Sequence, residues 1–176
     1  MNLRRIIFFL FFLFFSRIFA FCQLLTIKNN VVEDAISTPN ISFEIVAGQR
    51  ISFEVEGLVM YKPLEKKWKA FALISEVKYW LSGRVLSRFY MAPCNLITTY
   101  RIHRNDEYHN GDAIGVGLVM GYVFPLSSRW NVEASIGGVY AHYWEDKTSF
   151  GTSTIRQSGW LPIPTKVGIS IGYVIK

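Results

Sequence analysis

Arg50-Ile51-Ser52-Phe53-Glu54-Val55-Glu56-Gly57 alternates without a break. Side chains of an extended chain point to opposite sides in turn, so Ile51, Phe53 and Val55 share one face and Ser52, Glu54 and Glu56 the other. The same period of two recurs outward from this stretch. Ile41, Phe43 and Ile45 oppose Ser42 and Glu44 just before it. Further on, Trp130, Val132, Ala134, Ile136 and Tyr140 oppose Asn131, Glu133 and Ser135. Near the end, Val167, Ile169, Ile171, Tyr173 and Ile175 oppose Gly168, Ser170 and Gly172. Phe71 to Leu81 follows the rule imperfectly, with Ser75 on its apolar side. Arg88–Ile102 and Ala113–Phe124 are also strand-like, and Gly115, Gly117 and Gly121 suit a tightly curved wall. No stretch after the N-terminal segment holds a helical period.

These segments outrun the roughly 5–6 residues of an average soluble strand. They match the about 9–11 residues of a tilted strand that crosses an outer membrane. Connections alternate in character. Gly48-Gln49 and Ser127-Ser128 are tight and Ser82–Ser87 is fairly short, whereas Pro63–Lys67, His103–Asp112 and Glu145–Leu161 are more polar. Outer-membrane barrels have short periplasmic turns and longer outer loops. With the tight turns in the periplasm, a strand must climb before Ile41, and Leu25–Ala35 is the candidate, although Lys28-Asn29-Asn30 interrupts its pattern. Counting it gives eight strands, an even number as closure requires. The expected fold is all-β: an eight-stranded antiparallel up-and-down transmembrane β-barrel.

The chain has 176 residues, 51% apolar, 16% aromatic and only 18% charged. That supports one domain and excludes a disordered chain. It opens with a short basic segment, Asn2-Leu3-Arg4-Arg5, then the unbroken apolar run Ile6–Phe15, then Ala20-Phe21-Cys22. This order is that of a cleaved secretory signal peptide, placed at residues 1–22, with residues 23–176 as the barrel domain. Cleavage removes Arg4, Arg5 and Arg17, so 16 basic residues face 13 acids and the formal charge falls from +6 to +3. Cys94 becomes the only thiol, which excludes an internal disulfide. The cluster Lys62, Lys66, Lys67 and Lys69 reads as a solvated loop, and no nucleic acid is expected as a partner.

On the polar face the strands carry Glu44, Glu54, Glu56, Glu76, Lys78, Glu133 and Lys166, with Arg101 a further candidate. Buried charges persist when paired, so mixed signs on one face predict an ionic network that fills the lumen. Eight strands leave no aqueous pore. Trp80, Tyr79, Tyr90, Tyr100, Tyr122, Trp130, Tyr140, Trp144, Trp160 and Tyr173 are expected to form aromatic girdles at the two interfaces. His103 and His109, with Asp106, Glu107 and Asp112, fit no compact metal motif.

Lys166-Val167-Gly168-Ile169-Ser170-Ile171-Gly172-Tyr173 resembles the assembly signal of outer-membrane barrels, with three residues following its aromatic. A wider resemblance is carried by Thr38-Pro39-Asn40 with Glu44, Gly48-Gln49-Arg50 and Glu76-Val77-Lys78-Tyr79-Trp80-Leu81. It continues in Gly121-Tyr122-Val123-Phe124-Pro125-Leu126-Ser127-Ser128-Arg129-Trp130-Asn131-Val132-Glu133 and in the ending from Pro164-Thr165-Lys166. Over about residues 27–176 the chain resembles an uncharacterised domain-of-unknown-function family of outer-membrane β-barrel proteins of Gram-negative anaerobes, often encoded near fimbrial genes. Lys78 stands where that family usually has arginine, and Gln49 where lysine is usual. The resemblance implies an outer-membrane location and no catalytic residue to carry over.

The sequence therefore predicts a monomeric, non-enzymatic outer-membrane protein without a cofactor. Its expected partners are outer-membrane lipid and a fimbrial or other surface protein met through the outer loops, in fimbria assembly or surface attachment. Two alternatives are a soluble lipocalin-like ligand carrier and an outer-membrane lipid-modifying enzyme. A carrier should have an apolar interior and a Gly-x-Trp opening. A deacylase should pair a histidine with a serine, whereas Tyr143-Trp144 follows His142.

Overall fold

The computed structural model describes residues 24–61, 68–104, 107–149 and 155–175, so residues 1–22 and the whole of Pro63–Lys67 lie outside the described residues. The strands are β1 (Leu25–Asn30), β2 (Asn40–Val46), β3 (Ile51–Tyr61), β4 (Trp68–Trp80), β5 (Arg88–Arg104), β6 (Glu107–Pro125), β7 (Trp130–Ser149) and β8 (Ile155–Ile175), with a short helix α1 (Val31–Ala35) after β1. Each strand pairs antiparallel with the next, and β1 pairs with β8 to close the ring. The predicted eight-stranded up-and-down architecture is the one observed.

Alternation decides which way each side chain points. Ile51, Phe53, Val55, Phe71, Leu73 and Val77 face outward, each more than a third exposed, while Ser52, Glu54, Glu56, Glu76 and Lys78 on the same strands are buried inside. Ile136 and Ile169 are also outward, and Glu133 and Ser170 inward. The molecule is inside out relative to a water-soluble domain, whose charges lie at the surface.

Three tight turns lie at one end of the barrel, together with the start of β1 and the end of β8, where Leu25 pairs with Ile175. The Ala47 amide donates to the Ile51 carbonyl at 3.0 Å across the first turn. Ser127 Oγ accepts from the Arg129 and Trp130 amides in the last. The middle turn needs left-handed backbone at Gly83 (φ 75°), and the Arg50 side chain covers that residue, which has no Cβ to obstruct it.

Strand length rises around the ring, from 6 residues in β1 and 7 in β2 to 20 in β7 and 21 in β8. Two sequence expectations are corrected by this. His103–Asp112 is not a long loop: β5 and β6 stay paired until Arg104 meets Glu107. Glu145–Leu161 is likewise largely ladder, with Asp146 opposite Arg156. Above the apolar outer face, both sides of the sheet are polar, so the alternation that marks a strand disappears while the backbone pairing continues.

The first climbing segment is also corrected. Leu25–Ala35 is a strand only to Asn30, and Val31–Ala35 forms α1. Asn30 caps the helix by accepting from the Val32 and Glu33 amides, and Glu33 and Asp34 sit favourably in its first turn. The Asn40 side chain closes the β1–β2 ladder. Its Oδ1 accepts from the Asn30 amide at 2.7 Å and its Nδ2 donates to the Asn30 carbonyl at 2.9 Å. Beyond Ser170, β8 has no β1 partner, and its free stretch contains Pro162 and Pro164.

Candidate functional site

The lumen has two storeys. At the short-turn end, three lysines face five glutamates, all buried. Lys28 Nζ donates to Glu54 at 2.9 Å and to Glu133, and also pairs with Glu44. Lys78 Nζ pairs with Glu54 at 2.6 Å and donates to Glu133 at 2.9 Å. One layer further up, Lys166 Nζ reaches Glu54 at 2.7 Å, Glu76 at 2.9 Å and Glu56 at 3.0 Å. Glu54 belongs to both layers and links them. Ammonium groups suit this geometry, since each offers three donors in different directions.

Neutral groups complete the floor. The Tyr90 hydroxyl donates to Glu133, and the Lys78 ammonium lies 4.2 Å from the Tyr90 ring centre. Trp80 Nε1 donates to Ser52 Oγ at 2.8 Å, and that hydroxyl donates on to Glu44. Tyr90 can lie across the wall because its ladder partner is Gly121. A Cβ there would stand 2.6 Å from the Tyr90 ring.

All seven residues predicted from the sequence, Glu44, Glu54, Glu56, Glu76, Lys78, Glu133 and Lys166, meet in this floor. Lys28, Tyr90, Trp80 and Ser52 were missed. Lys28 was legible, since Thr26, Lys28 and Asn30 alternate with Leu25, Ile27 and Asn29. Its apparent interruption of an apolar run is the inward face of β1. Arg101 does not join: it is exposed and donates to Asn110 Oδ1 at 3.0 Å. Trp80 and Tyr90 are not girdle residues but fully buried floor. Tyr100 is half-buried, while Tyr79, Tyr122, Trp130, Tyr140, Trp144 and Trp160 face outward as expected.

α1 lies against the upper layer. Its buried Glu33 accepts from Asn30 Nδ2 at 2.8 Å.

Beyond the floor, toward the long-strand end, the ionic filling stops. The predicted plug occupies only part of the lumen. A chamber of about 550 Å³ opens above it, lined mainly by apolar side chains including Leu58, Ile74, Leu96, Ala113 and Ile163. At its outer end the Tyr100 hydroxyl donates to Glu145 at 3.3 Å.

Other candidate residues are dispersed. His142 lies on the outer wall with its ring edge-on to Trp144 and Trp160, centroids 4.5 and 4.8 Å away. The backbones of His103 and His109 sit in β5 and β6, and Asp106 lies outside the described residues. Of the lysine cluster, Lys62, Lys66 and Lys67 lie outside the described residues, while Lys69 Nζ stands 5.1 Å from the Tyr61 ring centre. Cys94 is buried and free. No described helix is long and apolar enough to cross a membrane, which says nothing of strands.

No curated protein and no solved structure matches the chain. A family model does, over residues 6–175, nearly its whole length. The chain belongs to the uncharacterised family described as Protein of unknown function (DUF3575).

Proposed function

We propose that this chain is a non-enzymatic outer-membrane β-barrel of a Gram-negative bacterium, exported by a cleaved segment at residues 1–22, and that its long-strand end supports fimbria assembly or surface attachment. One observation carries the membrane part: large apolar side chains cover the outer wall while the charges are sealed inside. In water, so large an apolar surface would drive association. In a bilayer it is what a spanning barrel needs, because closure also satisfies the backbone groups wherever neighbouring strands pair. A soluble carrier would share the apolar chamber but would leave Phe53, Phe71 and Leu118 in water.

The surface role is supported by the shape of the long-strand end. β5 to β8 extend well past the apolar wall and present polar groups such as Arg101, Asp146 and Arg156 on a rigid ladder, where a partner could dock without ordering a loop. The fimbrial partner rests only on the resemblance read from the sequence, which implies an encoding near fimbrial genes.

Fractionation tests the reading. The protein should pellet with outer membranes, resist salt extraction, and run differently on gels before and after boiling. Recovery in the detergent-free periplasmic fraction would replace this proposal with a carrier. Photocrosslinkers at Arg101 or Arg156 on whole cells should capture a surface protein, fimbrial subunits first among the candidates. Capture of nothing but neighbouring lipid would remove the partner role and leave the barrel.

A further inference from the structure

The low side of the wall and the apolar chamber belong together. β1 stops at Asn30, opposite Ser170, and β2 begins at Asn40, opposite Leu58. β8 continues to Ile155 and β3 to Tyr61. Among the described residues, every chamber-lining group comes from β3 to β8 and none from β1, α1 or β2. The chamber is blind toward the short-turn end, where the Lys166 layer closes it. On its low side stand α1 and the segment after it, where the Val59 and Tyr61 amides of β3 donate to the Pro39 and Ser37 carbonyls at 3.0 and 3.5 Å.

That low side lies within the apolar outer wall, not above it. Val59 on β3 and Val167 on β8 lie beyond the ends of β2 and β1 and still face outward, 46% and 54% exposed. α1 and the residue after it expose Val31, Val32 and Ile36 beside this wall. The apolar exterior thus continues over the low wall into the apolar interior.

We propose that the chamber takes one aliphatic chain of a membrane lipid, admitted sideways over α1 from the outer leaflet. This rests on the outer-membrane reading above. Its volume of about 550 Å³ lies within the range of roughly 300–1,000 Å³ usual for small-molecule sites. Water filling this space would find few hydrogen-bond partners beside Leu58, Ile74, Leu96 and Ala113, and buried water needs two to four or so. An empty chamber would forfeit dispersion contacts along its whole lining. An alkyl chain from the adjoining bilayer restores those contacts, entering past the exposed Val31, Val32 and Ile36 with Asp34 beside them. The ionic floor then acts as a stop that limits how deep the chain can go.

The test uses the full chain in nanodiscs containing a phospholipid with a photoactivatable diazirine in its acyl chain, with adducts mapped by mass spectrometry. The expected result is adducts on inward-facing Leu58, Leu96 or Ala113 in addition to outward-facing Phe53, Ile114 and Val116. Adducts confined to the outward residues would overturn the proposal and leave the barrel in the membrane. Adducts on neither set would overturn the outer-membrane reading with it. Ala113→Trp on β6 and Ala72→Phe on β4 each fill the chamber from a different strand. Either variant that folds, as judged by its heat-dependent gel shift, should lose the inward adducts and keep the outward ones. Inward adducts undiminished in both would place the chain elsewhere and refute the site.

Discussion

The two storeys of the lumen solve one problem in opposite ways. The lower is filled by charge: three lysines bridge five glutamates, with Tyr90, Trp80 and Ser52 satisfying further oxygens. The upper is lined by Leu58, Ile74, Leu96 and Ala113 and left open. A closed eight-stranded ring has a fixed bore, so side chains must fill it or leave space. Lys and Glu at the same height reach the axis and meet, whereas Ala and Gly on β4 and β6 do not. The sequence of inward positions along β4 shows the change within one strand, from Lys78 and Glu76 to Ile74 and Ala72. The lower storey is a network of shared ion pairs, whereas in the upper one Leu58, Ile74 and Leu96 belong to an apolar cluster that carries no charge.

That contrast can be broken by experiment, and the largest effect should come from the floor. Lys166→Met takes the ion-pair partner from Glu56 and Glu76, and Lys78→Met leaves Lys28 alone to bridge Glu44, Glu54 and Glu133; a buried pair broken on one side loses about 3–5 kcal/mol. Urea unfolding in micelles should show either variant failing to hold the folded band. A variant as stable as the parent would mean the floor does not hold the barrel. Tyr90→Phe removes one hydroxyl from Glu133 and should cost about 1–3 kcal/mol by the same measurement. Leu96→Ala in the chamber should cost about 2 kcal/mol or less, the low end for core leucines, because its site already borders open space. A larger cost than that of Tyr90→Phe would reverse the ranking of the two storeys.

Smaller effects sharpen the boundary between them. Glu33→Gln keeps an oxygen to accept from Asn30 Nδ2 and should move the urea midpoint only slightly. A loss as large as that of Lys166→Met would make α1 part of the floor. Least of all should come from the rim. Deleting residues 146–156 and joining Glu145 to Gln157 through a short turn should leave the unfolding midpoint unmoved. A lost folded band would make the long ladder part of the barrel's stability.

The outer wall and the floor were both legible because one pattern encodes them. Ile51-Ser52-Phe53-Glu54-Val55-Glu56 assigns three residues to each face, and the register carries Glu54 to Glu76 and Glu44. Strand identity was lost where polar residues fill both alternating sets, as at His103–Asp112, since no apolar period survives there. Val31-Val32 suggests a strand by propensity, yet the Asn30 cap and the acids of the first turn decide for helix. The chamber was illegible for another reason. Which inward residues share a height depends on strand tilt, and no single strand displays that.

Pro162 and Pro164 have a consequence of their own. They occupy the stretch of β8 that no strand flanks on the side facing β1. Lacking amide hydrogens, they cannot supply the regular donors by which an incoming segment extends a sheet. A border strand of this length would otherwise invite β-augmentation by neighbouring copies or by unfolded polypeptide during export. Replacing both prolines would turn a guarded margin into a template for self-association.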